Sequence, residues 1–154
     1  MSHSELDQFF TTHPRLTDLI EDFEFLDDWE DRYAYLIDLG KSLAGLPDTF
    51  KVEAHRVRGC TSQVWLIYKI TTNDQGEEVL HLAADSDAFI VRGLVAILLS
   101  AYANKTKAEV NALDLDGIFK QMGLERNLSV SRRNGFASMV ERVKKWAQFD
   151  TSTT

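Results

Sequence analysis

The sequence AFIVRGLVAILLSAY, which spans residues 88–102, is apolar on almost every side. A helix whose whole circumference is apolar is buried in a soluble protein, so this stretch predicts the central helix of the fold. Gly93 in its interior costs about 1 kcal/mol relative to alanine, which indicates that another element crosses the helix closely there. We expect Asp85, Ser86 and Asp87 to cap the helix, with acidic side chains at its positive end.

A β-hairpin is predicted just before this helix. Residues 64–72 are rich in aromatic and β-branched strand formers, and residues 73–76 have the composition of a turn, Asn-Asp-Gln-Gly. Residues 78–84 then form the returning strand of an antiparallel pair. Residues 55–58 are predicted as a further short strand that leads into a turn.

Several helices are predicted around this centre. The apolar spacing and the capping residues place them at residues 16–23, at residues 28–43, after Thr106, at residues 116–122 and from Ser131 onward. Asp27 with Glu30 has the spacing of a capping box for the second of these helices. Thr106 with Glu109 has the same spacing for the third. The sequence therefore predicts an α+β fold, a small antiparallel three-stranded sheet packed with about five to seven helices.

Length and composition indicate one soluble globular domain. The chain has 154 residues, of which 44% are hydrophobic and 27% charged, and one domain over residues 1–154 is the natural division. Residues 1–15 and 150–154 are predicted to be flexible tails. The first residues show no apolar signal segment, and no run of about 18 apolar residues occurs. We therefore expect a cytoplasmic protein that does not span a membrane.

The acidic balance argues against a nucleic-acid partner. The formal net charge is −7, and the isoelectric point of the sequence is about 5.0. Affinity for nucleic acids rests mainly on clustered lysine and arginine side chains, which this composition does not favour.

Cys60 is the only cysteine of the chain. A lone cysteine cannot form an intramolecular disulfide or supply the several thiolates of a zinc or iron–sulfur centre, so its chemistry, if any, is nucleophilic. The alternative is that Cys60 is a small buried core residue. Gly59 before it indicates a turn with positive φ, and nearby Arg56 and Arg58 would lower the pKa of its thiol.

Four blocks of residues carry a resemblance to a known family. In chain order they are Trp29–Tyr33 with Leu39-Gly40, Gly59–Trp65 (GCTSQVW), Asp85–Ala88 with Ile90–Leu94, and Leu128 with Ser131-Arg132 and Gly135. Together they resemble the SufE family, the sulfur-acceptor proteins that accompany a pyridoxal-phosphate cysteine desulfurase in iron–sulfur cluster assembly. The similarity covers most of the chain, about Trp29 to Trp146. Ser62-Gln63 favours the SufE branch over the related CsdE branch.

The resemblance implies a SufE-like two-layer domain and a role for Cys60 as acceptor of a persulfide. Its partners would be a SufS-type cysteine desulfurase, which would hold the pyridoxal phosphate, and downstream Fe–S scaffold proteins. This chain would bind no cofactor or metal itself, and it would be a sulfur-transfer accessory protein rather than a stand-alone enzyme.

Five residues are candidates to support Cys60. Arg58 would favour the thiolate, Gly59 would permit the loop to swing, and Gln63 would brace the loop by hydrogen bonding. Asp87 would anchor the same region. Arg132 and Arg133 place cations at the positive end of a helix, which typically costs about 0.3–1 kcal/mol each and often marks a functional position. The resemblance implies that Arg132 lies near Cys60 and assists docking to the desulfurase or favours an anionic persulfide. We expect the side chain of Arg133 to reach into solvent.

Three alternatives remain open. Cys60 could be a metal ligand in an Fe–S scaffold, or a structural residue in a protein-interaction module. It could also pair with His55 or His81 as a cysteine hydrolase, although no hydrolase signature surrounds it. The sequence leaves open whether the protein is a homodimer.

Overall fold

The computed structural model describes residues 9–10, 13–59, 62–126 and 128–148. Within them the α-helices are α1 (Leu16–Phe25), α2 (Trp29–Ser42), α3 (Phe89–Tyr102), α4 (Lys107–Ala112), α5 (Leu115–Gln121) and α6 (Val130–Gln148). The strands are β1 (Val64–Thr72), β2 (Glu78–Ser86) and β3 (Lys105–Thr106), and short 3-10 turns lie at Asp48–Phe50 and Glu53–His55. The α+β class and the number of helices are as predicted.

The three strands form one antiparallel sheet in the order β1-β2-β3. The hairpin register runs from the pair Val64 and Ser86 to the pair Thr72 and Glu78. The strand β1 has the predicted bounds, because its aromatic and β-branched residues and the turn that follows it are local signals.

The third strand differs from the prediction. Residues 53–55 form a 3-10 turn, and only Arg56 makes an isolated antiparallel bridge, to Trp65. The strand β3 instead follows α3 and pairs with the start of β2, where Leu80 is opposite Lys105. A two-residue strand of this kind carries no sequence pattern, since its partner lies far away along the chain.

The helix α3 is the buried centre of the fold, as predicted. Val95, Ile97 and Leu98 have no exposed surface, and α3 packs against β2 on one side and α2 on another. A Cβ atom at Gly93 would collide with the backbone carbonyl oxygen of Leu36 on α2. The close crossing expected at Gly93 is therefore confirmed.

The predicted cap of α3 is wrong. The N-cap residue is Ala88, with no side-chain cap bond, and Asp85 belongs to the end of β2. The Asp85 side chain is only 5% exposed and forms an ion pair with Arg92 on α3. The Asp85 carboxylate neutralises the Arg92 cation and therefore does not cap the N-terminus of α3.

The Arg92 guanidinium also donates hydrogen bonds to the carbonyl groups at the C-terminus of α2. Its Nε atom donates a hydrogen bond to the carbonyl oxygen of Gly40 at 2.9 Å, and one terminal nitrogen donates to that of Leu43 at 2.8 Å. The Asp85 carboxylate in turn accepts from the backbone N–H of Leu46 at 3.1 Å and pairs with Lys51 at 3.2 Å. One ion pair thus joins β2, α3, the end of α2 and the following loop.

The remaining helix ends are close to prediction. Asp28, not Asp27, caps α2, because its carboxylate accepts from the backbone N–H of Asp31 at 2.9 Å. The capping box of Thr106 and Glu109 is present at α4. The last helix, α6, begins at Val130, one residue before the predicted start.

Part of the predicted N-terminal tail is packed. Phe9 and Phe10 lie with Phe50 and Trp65 against a small cluster that contains Ile67 of β1. The other residues of the two predicted tails lie largely outside the described residues. No helix among the described residues is long and apolar enough to cross a bilayer.

We predict that Arg92→Ala lowers the free energy of unfolding by about 3–5 kcal/mol, because it leaves the buried Asp85 carboxylate with Lys51 as its one remaining cation among the described residues and removes the hydrogen bonds to the carbonyls of Gly40 and Leu43. Urea denaturation followed by circular dichroism measures this change. The matched control is Arg133→Ala, which removes an exposed arginine and should stay within about 0.5 kcal/mol. A loss of less than about 1 kcal/mol for Arg92→Ala would contradict the role given to this pair.

Candidate functional site

Cys60 and Thr61 lie outside the described residues, so the candidate site is defined by the chain on either side of them. The backbone N–H of Val57 donates to the carbonyl oxygen of Val64 at 2.9 Å. Both side chains are buried, at 2% and 0% exposure. A buried hydrogen-bonded pair therefore joins the chain before Cys60 to the chain after it, and we call the sequence between Val57 and Val64 the loop.

A second set of bonds holds the end of this loop at the start of α3. The backbone N–H of Gln63 donates to the Asp87 carboxylate at 3.1 Å, and the N–H of Asp87 donates to the Gln63 carbonyl at 3.3 Å. The same carbonyl accepts from the Ser86 hydroxyl at 2.7 Å. The structure thus brings together Gln63 and Asp87, and the bonds run through the main chain of Gln63.

Gly59 lies at the other end of the loop, against α6. Its φ angle is +88°, which confirms the predicted turn with positive φ. A Cβ atom at this position would lie 2.7 Å from the Ser138 hydroxyl oxygen, and that hydroxyl donates to the carbonyl oxygen of Asn134 at 3.1 Å. Glycine is therefore favoured by the backbone conformation, and any other residue would also force the Ser138 hydroxyl to rotate away.

The arginines before Cys60 are paired with one carboxylate. Arg58 is exposed and lies 2.8 Å from Glu53, and Arg56 lies 3.3 Å from the same side chain. An exposed ion pair is screened by solvent, and Glu53 reduces the positive potential that both arginines can supply. In the structure Arg58 is thus a surface residue that is paired with Glu53.

Arg132 lies beside Ser62, at the end of the loop opposite Gly59. Together with Ser62 it lines a narrow cleft of about 10 Å³ on the first turns of α6, and the apolar wall is formed by Val91, Leu94, Phe136 and Met139. The side chain of Arg132 is half-buried and makes no ion pair with a carboxylate of the described residues. Arg133, by contrast, is exposed as expected.

The cleft combines two sources of positive potential. The N-terminus of a helix carries about half a positive charge, and Arg132 adds a whole one. The volume is about that needed for a single water molecule, and apolar side chains line it. Such a place can hold one small, partly anionic atom out of bulk solvent.

Arg142 is a residue that sequence reasoning did not find. Its guanidinium donates to the carbonyl oxygens of Arg56 at 2.5 Å and of Ala54 at 3.3 Å, so it ties the segment before the loop to α6. Burial lowers the pKa of Arg142 from its ordinary value. In the sequence Arg142 is one of several cations along α6, and nothing local distinguishes it from its exposed neighbours.

The two histidines proposed as partners of Cys60 have other contacts. The Nδ1 atom of His55 is 2.8 Å from the carbonyl oxygen of Phe50. His81 contacts the Thr71 hydroxyl oxygen at 2.7 Å and the Asn104 side-chain oxygen at 2.8 Å. In the described part of the chain these contacts do not favour a hydrolase arrangement.

The chain is similar to one protein family along most of its length. The model of the SufE family, described as an Fe–S metabolism associated domain, matches residues 17–147. An uncharacterized SufE-like protein of Rhizobium etli is 48% identical over 133 residues, which cover 86% of this chain and 89% of the relative. An uncharacterized SufE-like protein of Rhizobium meliloti is 44% identical over 133 residues, covering 86% and 94% of the two chains.

A third relative has a described role. The sulfur acceptor protein CsdE of Escherichia coli is 41% identical over 121 residues, which cover 79% of this chain and 80% of CsdE. Since SufE-like and CsdE proteins both match, the identities do not assign the branch that Ser62-Gln63 was expected to favour. The solution structure of a hypothetical protein from Thermus thermophilus shares the fold, with a TM-score of 0.64, 19% identity and coverage of 90% and 96%.

We predict that Gly59→Ala lowers the free energy of unfolding by about 1–2 kcal/mol, through positive φ and through contact with Ser138. The steric part should shrink in a Ser138→Gly background, where urea denaturation of the two single variants and the double variant completes a double-mutant cycle. Equal losses in both backgrounds would show that the contact with Ser138 contributes nothing.

Proposed function

Because this chain belongs to the SufE family, we propose that it is a sulfur acceptor in Fe–S metabolism and that Cys60 receives the sulfur as a persulfide. The family model and the role of the CsdE relative support the coarser statement. The observation that supports the finer one is that the described residues on either side of the only cysteine of the sequence are bonded to each other and to the start of α3, and that Ser62 lines the cationic cleft at Arg132.

The proposed reaction is an exchange between two sulfur centres. The Cys60 thiolate attacks the outer sulfur of a persulfide on a partner cysteine desulfurase of the SufS type. A new S–S bond forms on Cys60, the donor's S–S bond breaks, and its electron pair leaves with the donor thiolate. No net oxidation or reduction occurs, and pyridoxal phosphate belongs to the partner.

The surroundings of the loop support this chemistry in two ways. The positive end of α6 and the Arg132 guanidinium favour an anionic sulfur, which lowers the pKa of a nearby thiol. The apolar wall of the cleft excludes water and dissolved oxidants from an atom that rests there. We infer that Arg132 contributes more than Arg58 to the thiolate, because Arg58 is paired with Glu53 on the surface.

The loop ends have mechanical roles in this proposal. Gly59 provides the turn that allows Cys60 to move between the cleft and the partner. The bonds of Gln63 to Asp87 and Ser86 keep that movement from spreading into β1. From the loop, sulfur would pass on to Fe–S scaffold proteins.

We predict that incubation with a cysteine desulfurase and free cysteine adds one sulfur atom to Cys60, and that a thiol reductant removes it. Mass spectrometry of the intact protein and of its peptides measures the addition. Cys60→Ser should carry no sulfur and should not stimulate the desulfurase. Full stimulation by Cys60→Ser would refute the persulfide intermediate and favour an interaction module in which Cys60 is structural.

We predict that Arg132→Ala slows alkylation of Cys60 by iodoacetamide near neutral pH by up to about tenfold, because loss of the cation raises the pKa of the thiol. The rate is measured as a function of pH, and the midpoint should move upward. Arg133→Ala is the matched control, since it removes the adjacent but exposed cation. Equal pH profiles for the two variants would remove Arg132 from the site.

A further inference from the structure

A second cleft lies between the start of α2 and the end of α5. It has a volume of about 530 Å³, and none of its lining residues belongs to the cleft beside Ser62. Its wall includes Trp29 and Arg32, two residues of the block Trp29–Tyr33 to which the sulfur chemistry assigns no role. The chemistry of this second cleft is therefore independent of the proposed function.

Arg32 is the central cation of this second cleft. Its Nε atom is buried and has no hydrogen-bond partner among the described residues. Its guanidinium group likewise makes no ion pair with a carboxylate in the described ranges. A buried N–H donor without a partner costs about 1–3 kcal/mol, and more when it is part of a charged group, so acceptors at the terminal nitrogens of the same guanidinium would offset part of this cost.

The backbone of Gly123 leaves room for the Arg32 side chain. A Cβ atom at Gly123 would lie 2.9 Å from the central carbon of the guanidinium and 3.0 Å from one of its terminal nitrogens. The planar group thus lies against the turn that follows α5. Arg32 also lines the cleft beside this turn.

Two further cations line the cleft, Lys120 and Arg126. Asp27 and Glu125 are the acidic residues of the same wall, so three cations stand against two carboxylates. No pair among these side chains lies within ion-pair distance in the described part of the chain. A local excess of positive charge in a chain of net charge −7 indicates an anionic ligand.

We propose that this cleft binds a small molecule through an oxyanion, a carboxylate or a phosphate group, held by Arg32 with Lys120 and Arg126. The terminal nitrogens of a guanidinium fork match the two oxygens of such a group in a bidentate manner, through charge-assisted hydrogen bonds. The Trp29 ring offers an apolar surface to the part of the ligand that carries the anion.

The rival explanation is purely structural. Arg32 would then only cover Gly123 and the C-terminal end of α5, where a cation is favourable. Under this explanation Arg32→Gln lowers stability, but no anion binds to the unaltered protein.

The experiment is a titration of the full ¹⁵N-labelled chain with inorganic phosphate and, separately, with benzoate. Sodium chloride is exchanged to keep the ionic strength at about 0.15 M, so that screening stays constant. We expect saturable chemical-shift changes at the Trp29 indole N–H and the Gly123 amide. Arg32→Gln should weaken binding at least about tenfold, whereas the control Lys41→Gln, an exposed cation on the same helix, should leave it within about twofold.

The two probes also identify the source of the anion. Saturation by phosphate alone indicates a phosphate ligand, and saturation by benzoate alone indicates an aromatic carboxylate in contact with Trp29. Binding of either probe that depends on Arg32 supports the site. Absence of saturation with both probes, or saturation that Arg32→Gln leaves unchanged, would overturn it.

Discussion

The ion pair between Asp85 and Arg92 is the constraint on which the rest of the structure depends. Burial of either charge alone is unfavourable by several kcal/mol, so the two residues stabilise each other inside the protein, and Lys51 adds a second cation beside Asp85. Both groups also make hydrogen bonds outside the pair. Arg92 satisfies the carbonyls at the end of α2, and Asp85 satisfies the N–H of Leu46.

The position of this pair also determines the position of the candidate site. Asp85 is buried near the end of β2, and the next two residues, Ser86 and Asp87, bind Gln63. The end of the Cys60 loop is therefore attached to a rigid element rather than to another loop. On the opposite side the loop meets α6 through Gly59 and the cleft at Arg132. The described residues on the two sides of Cys60 are thus attached to β2 and α6, which lie far apart along the chain. Functional loops are commonly held by a rigid scaffold in this way.

The parts of the fold that could be predicted have local signals. The strand β1 has both bounds as expected, because strand formers and a turn follow each other directly, and the positive φ of Gly59 follows from the residue type. The third strand and the role of Asp85 could not be predicted in this way. The third strand forms because β3 pairs with β2, and Asp85 is buried because it pairs with Arg92. Both partners lie elsewhere in the sequence, whereas the local pattern around Asp85 is typical of a helix cap.

The same distinction applies to the candidate site. The sequence indicated Cys60, Gln63 and Asp87 as neighbours through family resemblance, and the structure brings the last two together. Arg142, which ties Ala54 and Arg56 to α6, has no signal in the sequence because its importance arises from carbonyls that only the folded chain places beside it.

The crossing of α2 and α3 limits how this sequence can change. A Cβ atom at Gly40 would meet the carbonyl oxygen of Phe89, just as one at Gly93 would meet that of Leu36. Neighbouring side chains can rotate to accommodate an altered core residue, but main-chain atoms cannot. Neither glycine can acquire a side chain unless the two helices separate, so evolutionary change at this crossing would have to move whole helices. A shift of α3 at Phe89 would also displace Asp87, which binds Gln63.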